Sequence, residues 1–246
     1  MDASTIFAMA VLMAIAAALY SSVGHGGASA YLAIMALFSV APETMRPTAL
    51  ALNLVVASFA AASFALKGQT NWRLLAAFAI TAVPAAFIGG GIELPSHVYR
   101  PLVGIVLLAA ALRLFWQPER LAARPVRSPP MAAMLPAGAA LGLLAGLTGT
   151  GGGIFLSPLI ILFGWEEARK TSGIAAAFIV LNSAAGLLGN LGSVQKLPEE
   201  LPILVGSVFA GALLGAWLGV SRLPRHRLLQ GLAIVLVIAA VKLLFT

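Results

Sequence analysis

Twice in this chain a glycine cluster stands between a long apolar run and a shorter one. The first is Gly24-His25-Gly26-Gly27, followed by Ala28-Ser29-Ala30-Tyr31; the second is Gly149-Thr150-Gly151-Gly152-Gly153, followed by Ile154-Phe155-Leu156-Ser157-Pro158. Glycine admits positive φ and disfavours regular helix. The surroundings decide what that means. Hydrophobic residues make up 61% of the chain and charged residues 9%, against about 25% charged in a soluble domain, so these runs belong in a bilayer. Irregular backbone at membrane depth survives only when protein buries it or it lines a water-filled cavity. Two such breaks, one per half, predict a duplicated polytopic protein whose substrate site lies at the breaks.

Apolar segments fall near 4–22, 28–40, 48–66, 74–92 and 98–115, and again near 132–148, 153–164, 171–190, 201–220 and 227–245. Between the two sets lies a polar, proline-rich stretch carrying Arg120, Arg124 and Arg127. The organisation expected is a first transmembrane repeat over 1–116, a cytoplasmic linker over 117–131 and a second repeat over 132–246. The longer runs approach the roughly 20 residues a spanning helix needs. The second segment of each half, near 12 residues, covers only about 18 Å, which makes it a half-helix, a re-entrant piece or a continuation into the headgroup region. The segments 4–22 and 28–40 either each cross fully or form a re-entrant hairpin. Because Asp2 precedes the first run and no basic residue flanks it, that run is expected to be retained rather than cleaved as a signal peptide.

Loop charges give an orientation. One set of loops holds Lys67 and Arg73, then Arg120, Arg124 and Arg127, then Arg169 and Lys170, then Arg222, Arg225 and Arg227; the other holds Arg46, Arg100 and Lys196. The first set is placed in the cytoplasm by the positive-inside rule. An odd number of segments per half then gives two repeats of inverted topology. The fold class expected is all-α and polytopic, with about five apolar segments and one glycine-broken half-helix pair in each inverted repeat.

The net charge of +7 is dispersed over short loops and forms no basic face with aromatic platforms, which argues against nucleic acid. With no cysteine and only three histidines, far apart, the chain offers no disulfide, thiolate centre or metal-ligand spacing. Gly149–Gly153 lacks the Lys-Ser/Thr ending of a P-loop. Neither a catalytic constellation nor a cofactor or metal site is expected, so the chain is not read as an enzyme.

The candidate binding residues are Gly24, His25, Gly26, Gly27 and Ser29 at the first break and Thr148, Gly149, Thr150, Gly151, Gly152 and Gly153 at the second. Half-helices starting near Ala28 and Ile154 would present N-terminal N–H groups and the positive end of a helix dipole to an anion. Asn53 and Asn182, with Ser58 and Ser183, lie within the third segments and either line the same cavity or bond helix to helix. His25 is the proton-coupling candidate, the one titratable side chain between Asp2 and Glu43; ligand contact and a neutral structural role stand beside that. Thr48, Thr171 and Ser172 read as helix caps. Arg113 and Lys242 read as interfacial snorkels, and Glu166 and Glu167 as surface partners of Arg169 and Lys170.

These motifs resemble the TauE/SafE family, the sulfite exporter or toluene sulfonate uptake permease family of bacteria and archaea. The likeness rests on Gly149 to Leu159, on Gly24-His25-Gly26-Gly27, on Arg169-Lys170-Thr171-Ser172-Gly173 and on Gly211 to Ala216, with Ala33 standing where the family often has proline. The resemblance implies a secondary transporter of the prokaryotic cytoplasmic membrane that carries a small sulfur or organosulfur anion such as sulfite or a sulfonate. Its partners would be that anion and the lipid bilayer, and the reading leaves room for a homo-oligomer. An uncoupled anion channel or facilitator of the same architecture is the alternative.

Overall fold

A computed structural model describes residues 2–21, 26–115, 126–217 and 225–245. Among them the chain is all-helical and matches the expected segments one for one: α1 (Ala3–Ser21), α2 (Ala28–Leu37), α3 (Pro42–Leu66), α4 (Trp72–Gly91), α5 (Ser96–Phe115), α6 (Met131–Thr148), α7 (Gly153–Phe163), α8 (Ala168–Gly189), α9 (Leu201–Trp217) and α10 (Arg225–Phe245). A short 3-10 turn, Leu191–Lys196, joins α8 to α9. Five of these helices, α1, α3, α4, α6 and α8, are long and apolar enough to cross a membrane. Phe7, Ile15, Ile80, Ile105, Ile203 and Ile238 stand exposed around the outside, the apolar belt that a polytopic protein offers to lipid.

The largest departure from expectation is α3, which begins six residues early. Pro42 at the first helical position and Glu43 in the first turn are good helix starters, and Pro47 is tolerated within the helix. Thr48 therefore lies inside α3 rather than at its start, and its buried hydroxyl has no partner. The capping role fails for Thr171 too: Glu167 is the N-cap of α8, and the Thr171 hydroxyl is buried and unbonded. Ser172 bonds back to Ala168 O within the helix.

The helices pair across the halves. α1 lies along α9, α6 along α4, α5 along α10, and α3 crosses α8 at the centre. Exchanging the first five helices with the last five carries α1–α9 onto α6–α4, and α3–α8 and α5–α10 onto themselves. The two lateral pairs pack at backbone distance. A Cβ on Gly138, Gly142 or Gly146 of α6 would stand 2.5, 2.1 or 2.2 Å from the carbonyl oxygens of Phe78, Ala82 and Ala86 on α4. On Gly211 and Gly215 of α9 it would stand 2.1 and 2.2 Å from those of Ala14 and Ala18 on α1. Only glycine allows that approach, the small-residue packing common between membrane helices.

The loops sort onto two ends. At one end Pro42, Glu93, Asn190 and Lys196 surround a common cavity. At the other, Asn71 bonds Glu166 at 2.6 Å and Arg127 N donates to Gly164 O at 2.7 Å. This is the grouping that the loop charges require. Each glycine break sits in a hairpin of one long and one short arm. α1 and α2 return to one end, where Ile6 and Phe38 line the same pocket. α6 and α7 return to the other, where the segment leading into α6 meets Gly164, the C-cap of α7.

Candidate functional site

The second break is a sequence of left-handed glycines. Gly149 ends α6 at φ 87° and its N–H returns to Ala145 O; Gly151 and Gly152 follow at φ 72° and 76°, and α7 starts at Gly153. A side chain at any of these positive φ values is strained, and the space is also taken. A Cβ on Gly149 would meet Arg46 O at 3.0 Å, on Gly151 Asn53 Nδ2 at 2.8 Å, and on Gly153 Ile179 at 2.5 Å; on Gly152 it would press against Phe178. The Thr148 hydroxyl donates to Leu144 O at 2.6 Å and lies 2.9 Å from the Thr150 hydroxyl.

At the first break, Gly24 and His25 lie outside the described residues. Gly26 and Gly27 are buried. A Cβ on Gly26 would stand 2.5 Å from Asn53 Oδ1 and 3.3 Å from Ile179. Asn53 of α3 and Ile179 of α8 thus touch both breaks, and the two glycine clusters meet where α3 crosses α8. Asn53 bonds both: its Oδ1 accepts from Ala28 N at 3.1 Å and its Nδ2 donates to Thr150 O at 3.4 Å.

Two expectations change here. The first amide of α2 is not an open donor, because Asn53 takes it. Nor is the Ser29 hydroxyl open, since it pairs with Tyr20 OH at 2.7 Å and ties α2 to α1. Ser58 is exposed and away from the breaks.

What remains open sits on α8 and α2. Asn182 is fully buried, and neither its Oδ1 nor its Nδ2 has a partner among the described residues. It shares a helix face with Ile179 and Gly186, three and four residues away. The Ser183 hydroxyl, also buried and without a partner among the described residues, comes within 3.2 Å of the Cβ position of Gly151. Tyr31 OH likewise has no partner among the described residues and lies beside Gly27. Buried polar groups are paired in the great majority of cases, and each exception costs about 1–3 kcal/mol. Asn53 and Asn182 each follow a leucine in the middle segment of their half, yet one is saturated and the other bare.

A second polar region lies at the Glu93 end. A cavity of about 280 Å³ is lined by Arg46, Tyr99, Glu43, Glu93, Ser96 and Lys196, among others. Arg46 counted as a loop charge in the sequence; in the structure it is in α3, only 8% exposed, and its Nη1 donates to Ile92 O at 2.7 Å. Tyr99, also buried, donates to Thr148 O at 3.1 Å. Glu93 accepts from Asn190 at 3.1 Å and from Lys196 at 3.4 Å. Those bonds, Asn190 foremost, hold its carboxyl below the ordinary carboxylate range. These contacts link the α4–α5 loop to the second half.

Other charges have assignments that sequence did not supply. Glu166 is buried, accepts from Asn71 across the halves and pairs with Lys170 at 3.9 Å, so it is more than a surface partner. Lys242 caps the end of α2, donating to Leu37 O at 2.9 Å and Ser39 Oγ at 2.8 Å. Trp165, near a segment end, is packed against Phe163 and Phe78.

Known proteins resemble this chain along most of its length. Residues 9–243 match the family model described as "Sulfite exporter TauE/SafE". The chain is 38% identical over 240 residues to the probable membrane transporter protein y4hK of Sinorhizobium fredii, covering 96% of this chain and 97% of that protein. It is 26% identical over 226 residues to the probable membrane transporter protein YjnA of Bacillus subtilis, covering 85% and 88%. No solved structure matches it.

Proposed function

The chain belongs to the sulfite exporter TauE/SafE family and is a multi-pass membrane transporter, and from that premise we propose that it is a secondary transporter carrying a small sulfur oxyanion or sulfonate across the cytoplasmic membrane. The observation that carries the reading is the meeting of both glycine breaks at Asn53, with Ser183 beside Gly151, Tyr31 beside Gly27 and Asn182 next to Ser183 in α8, their buried polar atoms without a partner among the described residues. A small anion with several acceptor oxygens would take the Asn182 amide and the two hydroxyls, and the dipoles of α2 and α7, both starting at the breaks, would favour its charge. The packing around Gly26, Gly151 and Gly153 makes the glycines the means of closing the backbone around Asn53, more than contacts of their own.

The exchange of helix pairs between halves, and the two hairpins entering from opposite ends, support an inverted duplication with the break at its pseudo-two-fold axis. Under the loop-charge orientation the Glu93 end faces outward and the Asn71–Glu166 end inward. His25, in the first glycine cluster, is the candidate coupling group, because an unperturbed histidine changes charge between about pH 5 and 8.

Thermal unfolding of the purified protein with sulfite, sulfate, thiosulfate, alkanesulfonates and carboxylates tests the reading. A transported anion raises the melting temperature with the logarithm of its concentration and is taken up by proteoliposomes. If no sulfur anion does either, the proposal fails.

A further inference from the structure

The Arg46 guanidinium has five N–H donors, and among the described residues it makes one hydrogen bond, to Ile92 O. Among the described residues it is in no ion pair, yet it is only 8% exposed and lines the 280 Å³ cavity at the Glu93 end. A largely buried cation that lines a cavity, with most of its donors unspent among the described residues, is suited to receive an acceptor-rich partner there. The carboxylates nearby are not that partner. Glu93, whose Oε1 accepts from Asn190 and Lys196, feels Arg46 electrostatically but lies beyond ion-pair distance from it, and both Glu93 and Glu43 are exposed, where solvent and salt screen them. The volume equals that of about nine water molecules, enough for a small oxyanion with part of its hydration shell.

The cavity also adjoins the central breaks. The Cα, carbonyl and Cγ of Arg46 pack on Gly149. Tyr99, on the cavity wall, holds Thr148 O; the Thr148 and Thr150 hydroxyls are in contact; and Thr150 O is bonded to Asn53. Polar groups therefore run without interruption from the cavity to the meeting point of the breaks.

We propose that this cavity is a reception site for a small oxyanion, with Arg46 as its recognition residue and the Thr148–Thr150 turn as the passage to the central site. The inference rests on the anion-transporter reading, and it is tested without transport. Ser96 is exposed and lines the cavity, and the chain has no cysteine, so Ser96→Cys introduces one reporter thiol. Its rates of reaction with a negatively and a positively charged thiosulfonate reagent are compared in membranes. Arg46→Gln should lower the negative-to-positive rate ratio about tenfold, as loss of one nearby charge from a poorly screened cavity would, and Arg46→Lys should restore it to within about threefold. With Arg46 in place, millimolar sulfate or methanesulfonate should slow the modification, and a matched salt of a bulky cation should not.

A ratio unchanged in a folded Arg46→Gln protein overturns the proposal. Should that variant not fold, absence of anion protection in the Arg46 parent overturns it. Failure of the parent to transport any anion would instead refute the transporter reading and leave the cavity result standing.

Discussion

Asn53 and Asn182 occupy like places in the two halves, and replacing each with leucine should move stability in opposite directions. Leucine has nearly the shape of asparagine without its polar atoms. At position 182 it removes two buried groups that have no partner. Each such group costs about 1–3 kcal/mol, so even with imperfect packing of the leucine the variant should gain about 1–3 kcal/mol. At position 53 leucine deletes the bonds to Ala28 N and Thr150 O and leaves both backbone groups buried and unpaired, a loss of about 2–5 kcal/mol. For a chain of this size 1 kcal/mol corresponds to roughly 2–4 °C. Melting curves in one detergent should therefore place Asn182→Leu several degrees above the parent and Asn53→Leu several degrees below. Adding the most stabilising sulfur anion should shift the parent but not Asn182→Leu, because the gain in stability is bought with the ligand's own hydrogen-bonding groups. If Asn182→Leu melts as low as Asn53→Leu, Asn182 is a structural residue. If it keeps the full anion shift, the ligand binds elsewhere.

Gly142→Ala, whose Cβ would stand 2.1 Å from Ala82 O, should force α6 off α4 and cost about 1–3 kcal/mol, whereas Gly206→Ala in α9, with nothing within 4 Å, should be neutral or stabilising by up to about 1 kcal/mol; paired melting curves separate the two. The folded-state pKa of Glu93 is depressed, so its stabilising contribution is present above its unfolded value of about 4.3 and is lost as pH falls through the folded value. The stability difference between parent and Glu93→Gln should accordingly be constant from pH 6 to 8 and close below about pH 4. Single cysteines at positions 124 and 225 should resist an impermeant thiol reagent in intact cells while one at 196 reacts; the reverse pattern would overturn the orientation.

The ten apolar runs became ten helices because burial in lipid leaves the backbone no other choice, and that part of the fold was legible residue by residue. The glycine breaks were legible as breaks, but not what fills them: Gly26, Gly149 and Gly151 admit Asn53 and Arg46, side chains up to about a hundred positions away. Arg46 was misread because a cation near a segment end is normally a loop marker; its burial depends on Ile92 O and on the bare backbone at Gly149, neither visible locally. Asn53 and Asn182 look alike in sequence because they stand alike in their halves, and only the tertiary arrangement makes one a tie and leaves the other open. All three tyrosines, Tyr20, Tyr31 and Tyr99, are buried, a signal that their number and apolar surroundings carried and that the motif-centred reading passed over. Leu191–Lys196, too short for a periodic pattern, gave no sign that it would supply Ser193 and Lys196 to the cavity wall.

The glycine contacts of the lateral pairs also set an order of biosynthesis. α1 rests on α9, so the carbonyls of Ala14 and Ala18 meet Gly211 and Gly215 only after almost the whole chain has left the ribosome. At 5–20 residues per second that separation amounts to about 10–40 s, during which the first hairpin stands in the membrane without the neighbour that fits it. α4 waits far less, because α6 follows closely behind. By this order of emergence α4 and α6 pair first, and α9 on α1 and α10 on α5 come last. The first helix inserted is among the last to be seated, and truncation anywhere before α9 leaves the amino-terminal hairpin without its only backbone-distance partner among the described residues.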